Sequence, residues 1–209
     1  MINNKNYTNV IKKIILAAGS SKRYGNKNKL AQIFQDKPII KHVIDVLLEE
    51  NDPKDLLVVA GYERSKIINL INNPNIKIVN NIDYEKGIGT SISCAMRHLE
   101  DYIQGVMIIP ADMPFISKVD LRNLENKFIE LNSTKVVFPK HESSLGNPVI
   151  LPKSYFDILT NLKSDEGARS QIKNKDYVTV NAGIGTTLDI DTKEEFNKQN
   201  LDLYFRKLL

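Results

Sequence analysis

Cysteine is nearly absent from this sequence, with Cys94 the only one among 209 residues. A lone thiol cannot close an intramolecular disulfide, which excludes a disulfide-stapled secreted scaffold and implies a reducing, cytoplasmic setting. Long apolar runs are lacking as well. Stretches such as Ile14-Ile15-Leu16-Ala17-Ala18 fall far short of the roughly 20 residues that span a bilayer. The opening Met1-Ile2-Asn3-Asn4-Lys5-Asn6 is polar and carries no apolar stretch of signal-peptide length, so no membrane partner is expected. Strong charge imbalance is also missing: 29 basic against 25 acidic side chains leave a formal +4. The pI near 9.0 is accompanied by neither an aromatic–basic platform nor a clustered basic helix, so no nucleic-acid partner is expected. What remains is an ordinary globular composition, 42% hydrophobic and 26% charged. A chain of this size buries about 70% of its extended surface and needs no disulfide or structural metal for stability.

The pattern along the chain alternates. Residues 1–10 read as a flexible lead-in and 11–209 as one domain. The apolar run from Val10 to Ala18, interrupted by Lys12-Lys13, reads as a buried strand, and Pro38 opens a helical pattern through Leu48. Leu56–Ala60, Ile76–Val79, Val106–Pro110 and Lys135–Phe138 read as further strands. Between them lie helices over Glu63–Ile71 and Gly89–Leu99, and one capped by Ser117 that runs to about Leu131. The last third is less regular: strands at Val149–Leu151 and Tyr177–Val180, a helix from Pro152 between them, and a capping box at Thr192 opening a C-terminal helix. Strands alternating with helices predict an α/β fold, a doubly wound, mostly parallel central sheet with helices on both faces.

In such sheets ligands bind beyond the carboxyl ends of the strands. After the first strand, Ala17, Ala18, Gly19, Ser20 and Ser21 let backbone N–H groups turn toward an anion, and Arg23, Lys27 and Lys29 add positive charge. That mixture suits a polyphosphate. Two commoner phosphate motifs fail, because Ser21 and Tyr24 stand where GxGxxG and GxxxxGK[ST] need glycine. A solvated basic loop is the equally available alternative for this segment alone. Asp112, in Pro110-Ala111-Asp112-Met113-Pro114, follows a wholly apolar strand. A carboxylate there beside a polyphosphate loop suits Mg²⁺, which takes one or two carboxylates plus phosphate oxygens and water; closing a turn is its plainer role. Gly61 lies at another strand end. Gly89, Thr90 and Ser91 open a helix, where they either approach a base or ribose edge or simply cap. Asn147, Asp165 and Arg169 lie where a second substrate would dock. Asp189 and Asp191, two apart, fall on one strand face, as second metal ligands or as a charged strand end with a capped helix behind it. His42, His98, His141 and Cys94 lack metal or triad spacing and read as packing or surface residues.

Taken together, Leu16-Ala17-Ala18-Gly19-Ser20-Ser21-Lys22-Arg23-Tyr24-Gly25, Asn28-Lys29-Leu30, Lys37-Pro38, Gly89-Thr90-Ser91, Pro110–Pro114, Gly146-Asn147-Pro148-Val149, Asp165-Glu166-Gly167-Ala168-Arg169 and Asp189-Ile190-Asp191-Thr192 resemble the MobA-like NTP transferase family. The match is nearest its molybdenum cofactor cytidylyltransferase (MocA-type) branch. The resemblance implies a Rossmann-like fold and Mg²⁺-dependent transfer of CMP from CTP to the terminal phosphate of molybdopterin, with pyrophosphate released. By the same resemblance Arg23, Lys29 and Asp112 are catalytic, and Ala17–Ser20, Gly61 and Gly89–Ser91 join them in nucleotide binding. Asn147, Asp165 and Arg169 would meet the acceptor, and Asp112 with Asp191 the metal. A molybdoenzyme or its chaperone would receive the product. Ala18 stands where the guanylyl branch usually has a second glycine, and its methyl favours a pyrimidine. Ser144 and Ser164 replace an Arg and a Gly of the family pattern in the acceptor region, while Tyr24 and Lys193 replace a Met and a Pro. Two other readings stay open: a relative acting on a sugar or polyol phosphate, and a non-catalytic nucleotide-binding or delivery protein. The basic surplus is local: Lys22, Arg23, Lys27 and Lys29 together equal the formal +4.

Overall fold

The structure, a computed structural model, describes residues 11–21, 24–25, 27–172, 176–192, 194 and 197. The apolar run after residue 10 forms β1 (Ile11–Ala17), buried almost throughout. A small antiparallel hairpin, β2 (Ile33–Phe34) and β3 (Lys37–Pro38), leads into α1 (Ile39–Leu48). Pro38 sits at the N-cap, where its missing N–H is no loss. Ile39, Ile40, Val43, Ile44 and Leu47 of α1 are buried at three- and four-residue steps, the stripe expected of a helix laid on a sheet. Next come β4 (Leu56–Ala60), α2 (Arg64–Ile71), β5 (Lys77–Asn80), α3 (Ile88–Met96) and β6 (Gly105–Pro110). The chain continues through α4 (Lys118–Glu130), β7 (Val136–His141), β8 (Ser144–Leu145), β9 (Val149–Pro152), α5 (Phe156–Thr160) and β10 (Tyr177–Asn181). Ser117 caps α4 as expected, its hydroxyl oxygen accepting from the Asp120 N–H at 3.2 Å.

The main sheet runs β10-β7-β9-β6-β1-β4-β5, with β8 paired to β7. Helices α1, α2 and α4 pack on one face, around Ile15, Val58 and Phe128; α3 and α5 pack on the other, around Ile14, Val59 and Ile92. The expected α/β architecture is therefore observed, a mostly parallel sheet covered on both sides. β9 is the exception within the path, running antiparallel to both β6 and β7. The short link from β7 to β9 explains it, because a parallel return needs a crossover of a dozen or more residues. The helix expected from Pro152 is brief: a 3-10 turn at Lys153–Tyr155 and then α5. The C-terminal helix expected behind Thr192 falls almost entirely outside the described residues, as does the lead-in. Among the described residues, no helix is long and apolar enough to cross a membrane.

Candidate functional site

β1 has β4 on one side and β6 on the other, so the chain's direction of travel through the sheet reverses at β1. The crevice beyond its carboxyl end is where open α/β sheets bind ligands. A cavity of about 530 Å³ opens there, of the size that holds a small ligand. Its walls include Ala18, Gly19, Ser20 and Ser21 from the loop after β1, Lys29, Asp112 beyond β6, Ser91 on α3, and Asp165 and Asp191 from the irregular last third. Sequence positions far apart thus converge, as expected of a switch-point site.

The loop is held by its own polar groups. The Ser21 hydroxyl accepts from the Lys29 N–H at 3.1 Å, and Asn28 caps the 3-10 turn Lys29–Ala31 by accepting from the Leu30 N–H at 3.0 Å. Those bonds fix the Lys29 backbone and aim its stem at the carboxylates. The ammonium donates to Asp112 Oδ2 at 2.5 Å and to Asp191 Oδ1 at 3.0 Å. Asp112 is set by the end of β6, where the Ala111 N–H bonds the Leu16 carbonyl across the sheet. Asp191 is set by its neighbour: Ile190 is fully buried, and its N–H donates to the Asp112 carbonyl at 3.1 Å. The segment 188–191 is no strand, so the expected shared strand face is replaced by a core-anchored turn with a carboxylate on either side of Ile190.

Burial by itself would lower the Lys29 pKa, but Asp112 and Asp191 outweigh it and hold the ammonium above the ordinary lysine value. Asp189 is raised, first by partial burial and then by the negative charges of Asp112 and Asp191. Two carboxylates therefore hold one ammonium, with Asp189 within electrostatic reach of all three. The buried Oδ1 of Asp112 has no hydrogen-bond partner, an oxygen suited to a cation. Among the described residues no group of three or more His, Cys, Asp or Glu side chains forms a ready-made metal cage. Two carboxylates are nonetheless enough for Mg²⁺, which keeps water and takes phosphate oxygens for its remaining positions. The donor set fits a divalent cation that arrives with a phosphate ligand.

Other candidates serve the walls rather than the space. Ala17 is buried in the core at the end of β1. A Cβ on Gly61 would lie 2.8 Å from the Tyr84 side chain, so that glycine lets Tyr84 close over the end of β4. The Gly89 N–H is already bonded to the Ser164 carbonyl at 2.9 Å, and a Cβ there would lie 2.6 Å from that oxygen. Thr90 spends its hydroxyl on the carbonyls of Asp83 and Gly87, at 3.0 and 2.8 Å, while accepting from Asn81. Neither Gly89 nor Thr90 is among the residues lining the cavity, and the hydrogen bonds of Thr90 are those of the capping reading. Asn147 is exposed, with its N–H on the Thr186 carbonyl. Arg169 turns its guanidinium toward the Leu145 carbonyl at 3.4 Å and lies over the Phe138 ring at 5.5 Å. Of the three acceptor-side residues, Asp165 alone reaches the crevice. Lys22 and Arg23 lie outside the described residues.

Sequence reading passed over the β5 end. Buried Asn81 donates to Thr90 and Ser91 and accepts from the Asp83 N–H, bracing the turn Tyr84–Lys86 that forms one wall. Tyr84 in turn meets Tyr62, ring centroids 6.4 Å apart. The available signal was position, since Asn81 stands at the carboxyl end of a parallel strand. Gly87, at φ +121°, has the left-handed backbone that lets the chain pass against Asp165, whose Cα would lie 2.5 Å from a Cβ.

Comparison with known proteins follows the same outline. Solved structures with this fold include Rv0371c of Mycobacterium tuberculosis H37Rv, with TM-score 0.77 at 21% identity over 92% of this chain and 97% of that one. That protein has also been solved in complex with manganese. The 4-diphosphocytidyl-2C-methyl-D-erythritol synthase of Anaerococcus prevotii gives TM-score 0.71 at 16% identity, covering 94% and 99%. Molybdopterin-guanine dinucleotide biosynthesis protein A of Archaeoglobus fulgidus gives 0.65 at 18%, covering 92% and 98%. In sequence, the bifunctional protein GlmU of Caldicellulosiruptor saccharolyticus is 31% identical over 117 residues, 54% of this chain and 25% of that one. The chain thus spans about a quarter of the length of the curated relatives it matches. Residues 13–180, from the buried foot of β1 to the end of β10, match the MobA-like NTP transferase domain, and the chain belongs to that family.

Proposed function

We propose that the chain is a cytidylyltransferase, moving CMP from CTP to the terminal phosphate of molybdopterin with release of pyrophosphate. The observation that carries nucleotidyl transfer is the Lys29 ammonium held between Asp112 and Asp191 at the lip of the Gly19–Ser21 loop. Cation, carboxylates and open backbone meet at one point of a switch-point crevice, which is what a polyphosphate with a divalent cation requires. Mg²⁺ is the metal of this reading, held by Asp112 with Asp191 as second ligand, where it would neutralise charge on the phosphate oxygens. The backbone of Gly19 and Ser20 and the Arg23 side chain would grip the β- and γ-phosphates. Lys29 would swing from the carboxylates to the α-phosphate and stabilise charge there as the leaving oxygen departs. The acceptor phosphate is already an anion, so in-line attack needs positioning rather than a general base. Ala18, part of the crevice lining, supports a pyrimidine over a purine. A molybdoenzyme or its chaperone would take the product.

A second reading, a polyol or sugar phosphate as acceptor, is favoured by the acidic wall. Asp165 faces the cavity while Arg169 is turned away, and a carboxylate accepts from the several hydroxyls that such an acceptor carries beside its phosphate. Pyrophosphate release with CTP, GTP, ATP and UTP, each against molybdopterin and a set of polyol phosphates, separates these readings. CTP with molybdopterin is the expected productive pair. Turnover with a polyol phosphate alone moves the assignment to the second reading, and no release with any pair leaves a nucleotide-binding or delivery protein.

A further inference from the structure

We infer that in the nucleotide-free protein the Lys29 ammonium itself occupies the seat of the divalent cation, so that metal enters only with a nucleotide whose phosphates draw the lysine away. The inference rests on the nucleotidyl-transfer reading and concerns the order in which that site fills. Lys29 Nζ lies 2.5 Å from Asp112 and 3.0 Å from Asp191. A cation ligated by both carboxylates, with metal–oxygen distances of about 2.0–2.1 Å for magnesium, would lie directly against the ammonium that bonds both, even if it took the unpartnered Oδ1 of Asp112. The Lys29 side chain is 11% exposed, so solvent screens little of the repulsion between an ammonium and an incoming dication. Metal and lysine therefore exclude one another as long as Lys29 points inward.

The geometry also supplies the release. The Lys29 backbone is pinned by Ser21 and by the Asn28-capped turn, whereas the ammonium is carried on a four-carbon stem with rotatable bonds. The Gly19–Ser21 loop borders the same cavity, so an anion seated there offers the ammonium a competing partner. A nucleotide then does two things at once: it removes the blocking charge and brings phosphate oxygens to complete the coordination. Metal without nucleotide gains neither.

The test uses Mn²⁺ alone, with free ion followed by electron paramagnetic resonance, on the full wild-type chain and on Lys29→Gln. Thermal melts confirm folding, and Lys29→Met serves as a second variant should the first fail to fold. Removing the ammonium is expected to tighten Mn²⁺ binding by about tenfold or more in the absence of nucleotide. A folded Lys29 variant that binds Mn²⁺ no tighter than wild type overturns the inference. CTP-dependent pyrophosphate release by wild type is the independent readout of the transfer reading. Turnover without an Mn²⁺ gain in the variants sinks the latch alone. A gain without turnover keeps the latch and sinks the transfer.

Discussion

Two lysines mark opposite ends of β1 and its loop, and they are held in different ways. Lys13, at the foot of the strand, is fully buried and reaches Glu125 on α4 at 3.3 Å. Burial raises the pKa of its partner Glu125 despite the lysine beside it. That end is a closed account of one cation and one carboxylate, with Asp55 as a more distant acid. Lys29, beyond the head of the strand, is 11% exposed and carries two carboxylates directly, with Asp189 near enough to feel both. Among the described residues two carboxylates bond this one ammonium, and Asp112 keeps a buried oxygen without a hydrogen-bond partner. A paired buried charge explains itself structurally; a carboxylate excess at the mouth of a crevice calls for a further cation. The first arrangement specifies packing and the second leaves chemistry to be done.

The comparison is broken most strongly at the head. Asp112→Ala is expected to lower metal-dependent pyrophosphate release by about a thousandfold, roughly 4 kcal/mol of lost transition-state stabilisation. Urea melts should meanwhile change little, since the residue sits at a strand end facing the cavity. Full turnover in this variant would remove Asp112 from the site.

The reverse holds at the foot. Glu125→Leu leaves Lys13 buried without a counter-charge and is expected to cost about 3–5 kcal/mol. For a chain of this size that is a fall of roughly 10 °C in melting temperature. Adding Lys13→Met to the same chain removes the orphan charge, and the double variant should return to within about 1 kcal/mol of wild type. A double variant as unstable as the single one would show that the pair's surroundings, not the unpaired charge, set the cost.

How much of this contrast was legible beforehand differs between the two ends. Asp112 stood out because it ends a wholly apolar strand, and strand ends are where α/β sheets place ligands. Lys29 stood out through its crowded basic loop. Their junction with Asp191 spans 162 positions from Lys29, and nothing local in the sequence sets that pairing. Lys13 was visible only as an interruption in an apolar run, because its partner lies 112 residues away on a helix. Gly61 and Gly89 drew notice as glycines beside a site. What they accommodate is Tyr84 and the 164–166 backbone, contacts that exist only once the chain has folded. The reversed β9 was within reach, since the few residues after His141 are too short for a crossover. A mostly parallel sheet leaves room for it, but alternating elements alone do not say which strand runs backwards.

The segment 183–191, a strap that brings Asp191 to the head, can be tested apart from both lysines. A Cβ on Gly185 would lie 2.0 Å from the Phe115 carbonyl oxygen, so Gly185→Ala must displace backbone. The expected cost is about 1–3 kcal/mol, with activity falling because Asp191 moves from Lys29. Hydrogen exchange should speed up at Ile190, whose amide bonds the Asp112 carbonyl, and stay unchanged in α4 around Glu125. Equal loosening at both ends would mean that the strap and the foot form one cooperative unit.

The smallest expected effect sharpens the carboxylate excess itself. The Asp189 pKa is raised in the folded protein, by partial burial first and by Asp112 and Asp191 next, so the native state holds that proton more tightly than the unfolded chain does. Stability from this group is therefore fully present below the unfolded value of about 3.9 and is lost as pH rises through the folded pKa. Asp189→Asn removes this dependence. Urea melts taken from acid to neutral pH should show wild type losing stability relative to the variant as pH increases, by less than about 1 kcal/mol because the residue is only partly buried and solvent screens its charge. At neutral pH the variant should be the slightly more stable protein. A difference of the opposite sign would mean that Asp189 is stabilised as a carboxylate, and the head of β1 would then hold its acids in balance, as the foot does.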